Sequence, residues 1–225
     1  MAGKMKIPRF SSPFDARKRD AGKLPKRVWL TLDDGPEPGH TEQILKVLDL
    51  HRIKATFFVI GEKVAAHPAI VQRVFDAGHR IGNHTFSHRR LTELKPTEVR
   101  QEIESTGSLI SAFTPGGKIF RPPFGALSRV VSEIADELGH RTLLWDVDPN
   151  DWDPHRQPKG WIRSALREVR AKRDCVILTH DSLPTTAENL DLFITLLKKA
   201  GPITFEDPAT LCATHLALQA FSSTD

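Results

Sequence analysis

Short apolar runs alternate with segments of helical periodicity along most of the chain. The apolar runs RVWLTL, ATFFVI, HRIGN, IFRPP, RTLLWDV and CVILTH predict strands, with PITF as a weaker seventh. The segments between them place apolar residues on one helical face, as in TEQILKVLDLHR and WIRSALREVRAK. Alternation repeated about seven times, without a linker or low-complexity segment, predicts a single α/β domain on a parallel sheet. The number and close spacing of the units favour a closed barrel over an open doubly wound sheet.

Polar side chains stand at the predicted carboxyl ends of five strands. In a parallel α/β barrel the active site is built at those ends. Charged groups directly after five apolar strands would be unusual if they served only to stabilise the fold. They are Asp33 and Asp34, His84, Arg121, Asp146 and Asp148, and Thr179, His180 and Asp181.

Two adjacent carboxylates, Asp33 and Asp34, end the first strand in the sequence TLDDGP. Successive side chains of a regular strand point to opposite faces, so we expect the turn that follows to bring both into one cavity. Two ionised carboxylates in one cavity require a nearby cation or a strong donor. The alternative is a solvated Asp-Gly turn without chemical function.

His84 and His88 could hold such a cation, because they lie four residues apart in HTFSH. One helical turn would point both imidazoles the same way, and a suitably curved loop could do so too. Two neutral imidazoles and one carboxylate, from Asp34 or Asp33, leave a coordination position for water, as in catalytic metal sites. The alternative is a chance HxxxH spacing in a chain with ten histidines.

Charge is unevenly distributed along the chain, whose formal net charge is +4. Residues 1–27 carry nine Lys or Arg and two Asp, which leaves 23 basic and 26 acidic residues in the remainder. The first 27 residues also lack apolar periodicity, so we predict a basic, extended N-terminal arm. Such an arm raises the alternative of nucleic-acid binding, which the acidic remainder disfavours.

No apolar run is long enough to span a membrane or to form the core of a signal peptide. We therefore expect a cytoplasmic protein, or an exported one whose signal has been removed. The two cysteines, Cys175 and Cys212, have no metal-binding spacing. Cys175 lies in CVIL, where a buried small apolar residue is expected.

Five motifs, TLDDGP, HTFSH, RPPFG, DPNDW and LTHD, occur in the order and approximate spacing found in polysaccharide deacetylases. The chain resembles this family, also called the NodB homology domain or carbohydrate esterase family four, from about Val28 to about Leu211. The resemblance implies an α/β fold, a distorted (β/α)7 TIM-like barrel in a single domain at 28–215, with a short tail at 216–225. It also implies a metal-dependent hydrolase that removes N-acetyl groups from N-acetylglucosamine-containing glycans such as chitooligosaccharides.

The resemblance assigns roles to the metal ligands, the base and the acid. Asp34, His84 and His88 would bind one divalent metal ion. Zinc is expected first, with Co²⁺, Ni²⁺ or Fe²⁺ as alternatives for these donors. Asp33 would be the general base that takes a proton from the attacking water, and His180 the general acid that protonates the departing nitrogen.

Two further charged residues would support this chemistry. Arg121 would lie near Asp33 and favour its ionised form. Asp148, the first acid of DPNDW, would orient Arg121 or His180.

The substrate would be contacted through the backbone and through apolar side chains. The N–H of Phe124 would donate to the oxyanion, because Pro122 and Pro123 have no N–H. Trp152 and Leu178 would line the pocket for the acetyl methyl, and Pro123 is a further substrate-binding candidate. The chain contains no Tyr, so sugar stacking falls to Trp or Phe; the candidates are Trp152, Trp161, Phe86 and Phe124.

Alternatives remain for the substrate and for activity itself. Peptidoglycan N-acetylglucosamine and O-acetylated xylan suit the same attack by water, and an inactive glycan-binding module could use the same scaffold. The inactive module is disfavoured because Asp33, Asp34, His84, His88, Arg121 and His180 are all present. We expect a monomer whose partner is an N-acetylated oligo- or polysaccharide, with neither a nucleic acid nor a membrane span.

Overall fold

The described part of the chain forms seven β-strands connected by helices, as the alternation of its sequence predicts. The computed structural model describes residues 25–211. The strands are β1 (Lys26–Gly35), β2 (Thr56–Val59), β3 (Arg80–Asn83), β4 (Lys118–Phe120), β5 (His140–Thr142), β6 (Asp174–His180) and β7 (Ile203–Phe205). The α-helices are α1 (His40–His51), α2 (Gly61–Ala66), α3 (Pro68–Asp76), α4 (Pro96–Leu109), α5 (Arg129–Glu137), α6 (Gly160–Ala171) and α7 (Pro184–Lys199).

All the strand pairs are parallel, in the order β5-β4-β3-β2-β1-β6, with β7 beside the start of β1. A bridge between Val147 and Ile177 joins the segment after β5 to β6 and closes the ring. The amide of Leu178 donates to the carbonyl of Val147 at 3.0 Å, which extends this junction. The predicted distorted seven-stranded barrel is thus confirmed, and its carboxyl ends face one side.

The long strand β1 shows how the layers of the barrel are built. Successive side chains point alternately outwards and inwards. Val28, Leu30 and Leu32 pack outwards into the main core under the helices. Trp29 points into the barrel and belongs to a small inner cluster with Phe58, Ile119, Leu143, Val176 and Leu211. Farther along β1 the inward positions become polar, with buried Thr31 and Asp33, and the interior of the barrel there becomes the floor of a cleft.

The other side of the barrel has its own apolar cluster. Val99 and Ile103 of α4 pack with Phe120 of β4 and with Val131 and Ile134 of α5. This cluster fixes α4 against the barrel, and α4 in turn lies beside the loop that follows β3.

The structure moves several of the predicted boundaries. Strand β1 begins at Lys26, two residues before the predicted start of the domain. The rest of the predicted arm and the tail at 216–225 lie outside the described residues. Strand β5 spans only three residues, and most of RTLLWDV is not strand. Cys175 is buried as predicted, and none of the helices in residues 25–211 is long and apolar enough to cross a membrane.

We expect Gly82→Ala to destabilise the barrel by about 1–3 kcal/mol, because overpacking a filled interior forces its neighbours to move. A Cβ atom at Gly82 would lie 2.6 Å from the ring of Phe58 and 3.0 Å from Ile119. Gly116→Ala is the control, since a Cβ atom there meets nothing within 4 Å. Urea denaturation measures both free energies of unfolding, and a wild-type value for Gly82→Ala would contradict this description of the interior.

Candidate active site

A β-bulge at Asp34 brings the two adjacent carboxylates into one cleft. Asp33 pairs with Phe58 and Gly35 with Val59, so the register skips Asp34, which has a left-handed φ of 73°. Asp33 Oδ2 and Asp34 Oδ1 consequently lie 3.7 Å and 3.3 Å from the same atom, His84 Nε2. The two carboxylates converge as predicted, but the change of direction begins within the strand rather than at the turn after it.

His84 and His88 lie on a curved loop after β3, the second of the two predicted conformations. Thr85 and His88 both have left-handed φ angles, 69° and 58°, so the loop is not a helical turn. Nδ1 of His84 lies 2.7 Å from the carbonyl oxygen of Arg121. A carbonyl only accepts hydrogen bonds, so Nδ1 is the donor, and in the neutral imidazole Nε2 is left with its lone pair towards the cleft.

Asp34, His84 and His88 form a candidate metal centre. Their ligand atoms all lie within 4.8 Å of one another, and Asp34 Oδ1 is 3.1 Å from His88 Nε2. Burial disfavours the charged form of Asp34, but its interactions with the two imidazoles outweigh burial and hold its pKa well below the usual range. Two imidazole nitrogens and one carboxylate oxygen that point at a common centre suit a divalent ion with one open position.

The predicted base Asp33 is paired with a fully buried cation, Arg121. Nη1 of Arg121 lies 2.8 Å from Asp33 Oδ1 and also donates to Thr31 Oγ1 at 2.7 Å. The remaining guanidinium donors reach the carbonyl oxygens of Leu143 and Leu144, each at 3.0 Å. Burial lowers the pKa of Arg121, and the charge of Asp33 opposes that effect. Asp33 is therefore held in one orientation with its second oxygen facing the metal ligands.

The predicted acid His180 stands opposite Asp33 on the neighbouring strand, with which it is in register. Its Nδ1 lies 2.7 Å from Asp151 Oδ1, and its backbone N–H donates to Asp151 Oδ2 at 2.9 Å. Thr186 donates to the same carboxylate at 2.6 Å. Burial would lower the pKa of His180, but the hydrogen bond and charge of Asp151, with the charges of Asp34 and Asp33, raise it to about 9.

The prediction that Asp148 orients Arg121 or His180 is wrong. Asp148 lines the cleft, but its Oδ1 accepts the N–H of Asn150 at 2.9 Å. Asn150 has a φ of 56°, and after this turn the chain directs the next acid, Asp151, into the fully buried position beside His180. The sequence offered a signal for Asp151, since DPNDW contains two acids, but the pattern does not show which of them points inwards.

A cavity of about 460 Å³ is lined by the three candidate metal ligands. Asp33 and His180 line it too. Trp152 and Leu178 line it as predicted. The predicted Pro123 does not line it, whereas the adjacent Pro122 does. The stacking candidate Trp161 is also wrong, because it is fully buried in the core, whereas Trp145, which sequence reasoning missed, lines the cavity.

Phe124 places both its ring and its backbone at the cleft. Its ring contacts that of His88, with 4.7 Å between the centroids, and is 56% exposed. It has a left-handed φ of 60° in the middle of a short 3₁₀ turn, Pro123–Gly125. Within residues 25–211, the hydrogen bonds of this turn are donated by Gly125 and Ala126, not by the N–H of Phe124. That N–H is therefore available to an acceptor in the cavity, which is consistent with the predicted oxyanion donor.

The cleft thus combines a candidate metal-binding triad with the carboxylate of Asp33 on one side and the imidazole of His180 on the other. Such a set can activate water against a polarised carbonyl and protonate the group that leaves.

Comparisons with known proteins agree with this chemistry. A family model for polysaccharide deacetylase matches residues 20–143. The peptidoglycan-N-acetylglucosamine deacetylase PgdA of Listeria monocytogenes is 35% identical over 182 residues, which is 80% of this chain but 37% of that protein. A chitooligosaccharide deacetylase of Bradyrhizobium sp. (strain ANU 289) is 34% identical over 180 residues, 78% of this chain and 81% of that protein.

One of the similar solved structures is that of a pseudoenzyme. BA3943, a CE4 family pseudoenzyme from Bacillus anthracis, is 31% identical, with a TM-score of 0.71 over 80% of this chain and 63% of that chain. The fold alone therefore does not establish turnover. The family model covers more than half of the 225 residues, and the motif residues converge in one cleft. The chain belongs to the polysaccharide deacetylase family.

Proposed function

We propose that this protein is a metal-dependent hydrolase that removes N-acetyl groups from N-acetylglucosamine-containing glycans, with chitooligosaccharides as the first candidate substrate. One observation carries the proposal: the triad of Asp34, His84 and His88 lies in a single cavity between Asp33 and His180. Peptidoglycan N-acetylglucosamine is the second candidate, favoured by the similarity to the Listeria deacetylase.

The donor set of Asp34, His84 and His88 suits zinc, and Co²⁺, Ni²⁺ or Fe²⁺ would fit the same ligands. A bound ion of this kind polarises a carbonyl and lowers the pKa of water from 15.7 to about 7. The buried Oδ1 atom of Asp34 accepts no hydrogen bond within residues 25–211, although it lies 3.3 and 3.1 Å from Nε2 of His84 and His88. That unpartnered oxygen supports a cation at this position.

Asp33 and Phe124 act on the acyl group and the attacking water. Asp33 accepts a proton from the water, while its ion pair with Arg121 fixes its orientation and balances its charge. The N–H of Phe124 donates to the carbonyl oxygen as negative charge develops there. The oxygen of the water forms the new bond to the acyl carbon.

His180 completes the reaction at the nitrogen. With a pKa of about 9 it is protonated near neutral pH, and its Nδ1 is held by Asp151. It donates its other proton to the departing nitrogen as the C–N bond breaks, so the products are acetate and an amino sugar. An amide nitrogen leaves poorly as an anion, and such a proton transfer contributes about 10²–10⁴-fold to the rate.

The apolar part of the cavity suits the acetyl methyl. Leu178 lines it beside His180, and Trp152 is 53% exposed at its wall. The exposed faces of Trp152 and Phe124 offer stacking surfaces for a sugar ring without any Tyr in the chain.

We expect the purified protein to release acetate from chitooligosaccharides and to lose that activity after treatment with a chelator. Added zinc should restore it. The products of a panel of chito-, muro- and xylo-oligosaccharides, measured by mass spectrometry, identify the substrate. Absence of acetate from the whole panel under each of the four metals would contradict the proposal, and binding without release would favour an inactive glycan-binding module.

We expect Asp151→Asn to reduce kcat/KM by about 10²-fold or more and to move the alkaline limb of its pH profile to lower pH. Asp151 raises the pKa of His180, so its loss lowers that pKa, and the protonated acid then disappears at a lower pH. Asp148→Asn is the matched control, because Asp148 has no hydrogen bond to His180. Its alkaline limb should stay in place. An unshifted limb in Asp151→Asn would contradict the assignment of His180 as the acid.

A further inference from the structure

A buried glutamate on α4 holds the loop that carries both histidine ligands. Oε2 of Glu102 accepts the backbone N–H groups of Phe86 and Ser87, at 2.9 and 2.8 Å. Its Oε1 accepts the hydroxyl of Ser87 at 2.5 Å. All three donors belong to the segment between His84 and His88, so Glu102 is hydrogen-bonded to the middle of HTFSH.

The loop needs such a restraint because of its backbone conformation. Thr85 and His88 both have left-handed φ angles, which cost energy in residues other than glycine and persist where the surroundings fix them. Some restraint comes from Asn83, whose Oδ1 accepts the N–H of Thr85 at 2.9 Å, and from Gly61, whose N–H donates to the carbonyl of Thr85 at 2.9 Å. The carbonyl of Phe86 accepts the N–H of Glu62 at 3.0 Å, whereas the N–H groups of residues 86 and 87, which immediately precede His88, are both held by Glu102.

The first histidine is held independently of Glu102. His84 follows β3 directly, donates to the carbonyl of Arg121 and is buried. His88 is less constrained: it is partly exposed, and its N–H donates to Thr85 Oγ1 at 3.2 Å, a long hydrogen bond. The position of its Nε2 relative to Asp34 therefore depends on the conformation of the loop.

We propose that Glu102 is a positioning residue for the metal centre, because it fixes the 84–88 loop in the conformation that points His88 at Asp34 and His84. The inference rests on the proposed function, since it assumes that this triad binds a divalent ion. A preformed loop lowers the cost of ordering His88 when the ion binds. Residues that orient metal ligands change metal affinity by about 10–100-fold when they are mutated.

The test measures zinc affinity directly, by competition with a chromophoric chelator, in the full chain. We expect Glu102→Ala to raise the zinc dissociation constant by about 10–100-fold. Glu104→Ala is the matched control on the same helix, because Glu104 is exposed and its ion pair is with Arg100 at 3.9 Å. The control should bind zinc with the wild-type constant.

Glu102→Gln removes the charge of Glu102 but keeps the length and hydrogen-bonding geometry of its side chain. The amide oxygen of Gln can accept both backbone N–H groups, and its NH₂ group can donate to a rotated Ser87 hydroxyl. We expect this variant to recover most of the zinc affinity that Glu102→Ala loses. A Gln variant as weak as the Ala variant would overturn the positioning role, and so would a wild-type constant in Glu102→Ala.

Thermal unfolding of the zinc-free variants shows whether each is folded. If Glu102→Ala does not fold, the zinc affinity of Glu102→Asp is measured instead. The shorter Asp side chain keeps the charge but withdraws from the loop. Wild-type zinc affinity in Glu102→Asp would overturn the inference, and weakened affinity would support it. Acetate release is measured separately: a wild-type protein that binds zinc without releasing acetate would refute the proposed function and leave the role of Glu102 intact.

Discussion

The cleft depends on one buried residue, Arg121, which links the proposed base Asp33 to the candidate metal ligand His84. Its guanidinium binds Asp33 and Thr31 of β1 and the backbone after β5, while its own carbonyl accepts the proton of His84 Nδ1. A buried ion pair seldom stabilises a fold more than well-packed apolar residues would, because both charges lose their hydration. The pair of Arg121 and Asp33 is therefore best explained by function. One residue fixes the orientation of the proposed base Asp33 and the hydrogen bond of His84 Nδ1.

The carboxyl ends of the strands supply nearly all of this chemistry, which explains why the sequence predicts it well. The rule that parallel barrels place their sites at strand ends pointed to Asp33, Asp34, His84 and His180. The HxxxH spacing added His88, and the family resemblance assigned the roles. Seven strands were also predictable, because the runs are short, apolar and separated by helical periodicity. The adjacent carboxylates required a cation, and the sequence contained the histidines to hold one.

Two of the wrong site predictions, those for Asp148 and Pro123, arise where one residue turns the backbone. Asn150 has a left-handed φ, and after it Asp151 rather than Asp148 reaches His180. Phe124 also has a left-handed φ, and of the two prolines before it only Pro122 lines the cavity. The bulge at Asp34 is of the same kind. Glu102 was missed for another reason: a glutamate in a charged helix is normally solvated, and only the packing of α4 shows that it points at the loop. Such features depend on local φ angles and tertiary contacts, which apolar periodicity does not encode.

We expect Asp34, His84 and His88 together to hold one divalent ion and to leave a position open to solvent, and the proposed hydrolysis requires this arrangement. Anomalous scattering from crystals of the protein grown with zinc tests this claim most directly. We expect one zinc ion per chain in the cleft, with two imidazole nitrogens at about 2.0–2.1 Å, one carboxylate oxygen at about 2.0–2.2 Å and no fourth protein ligand. Zinc bound elsewhere, or a fourth side chain closing the coordination sphere, would contradict the account.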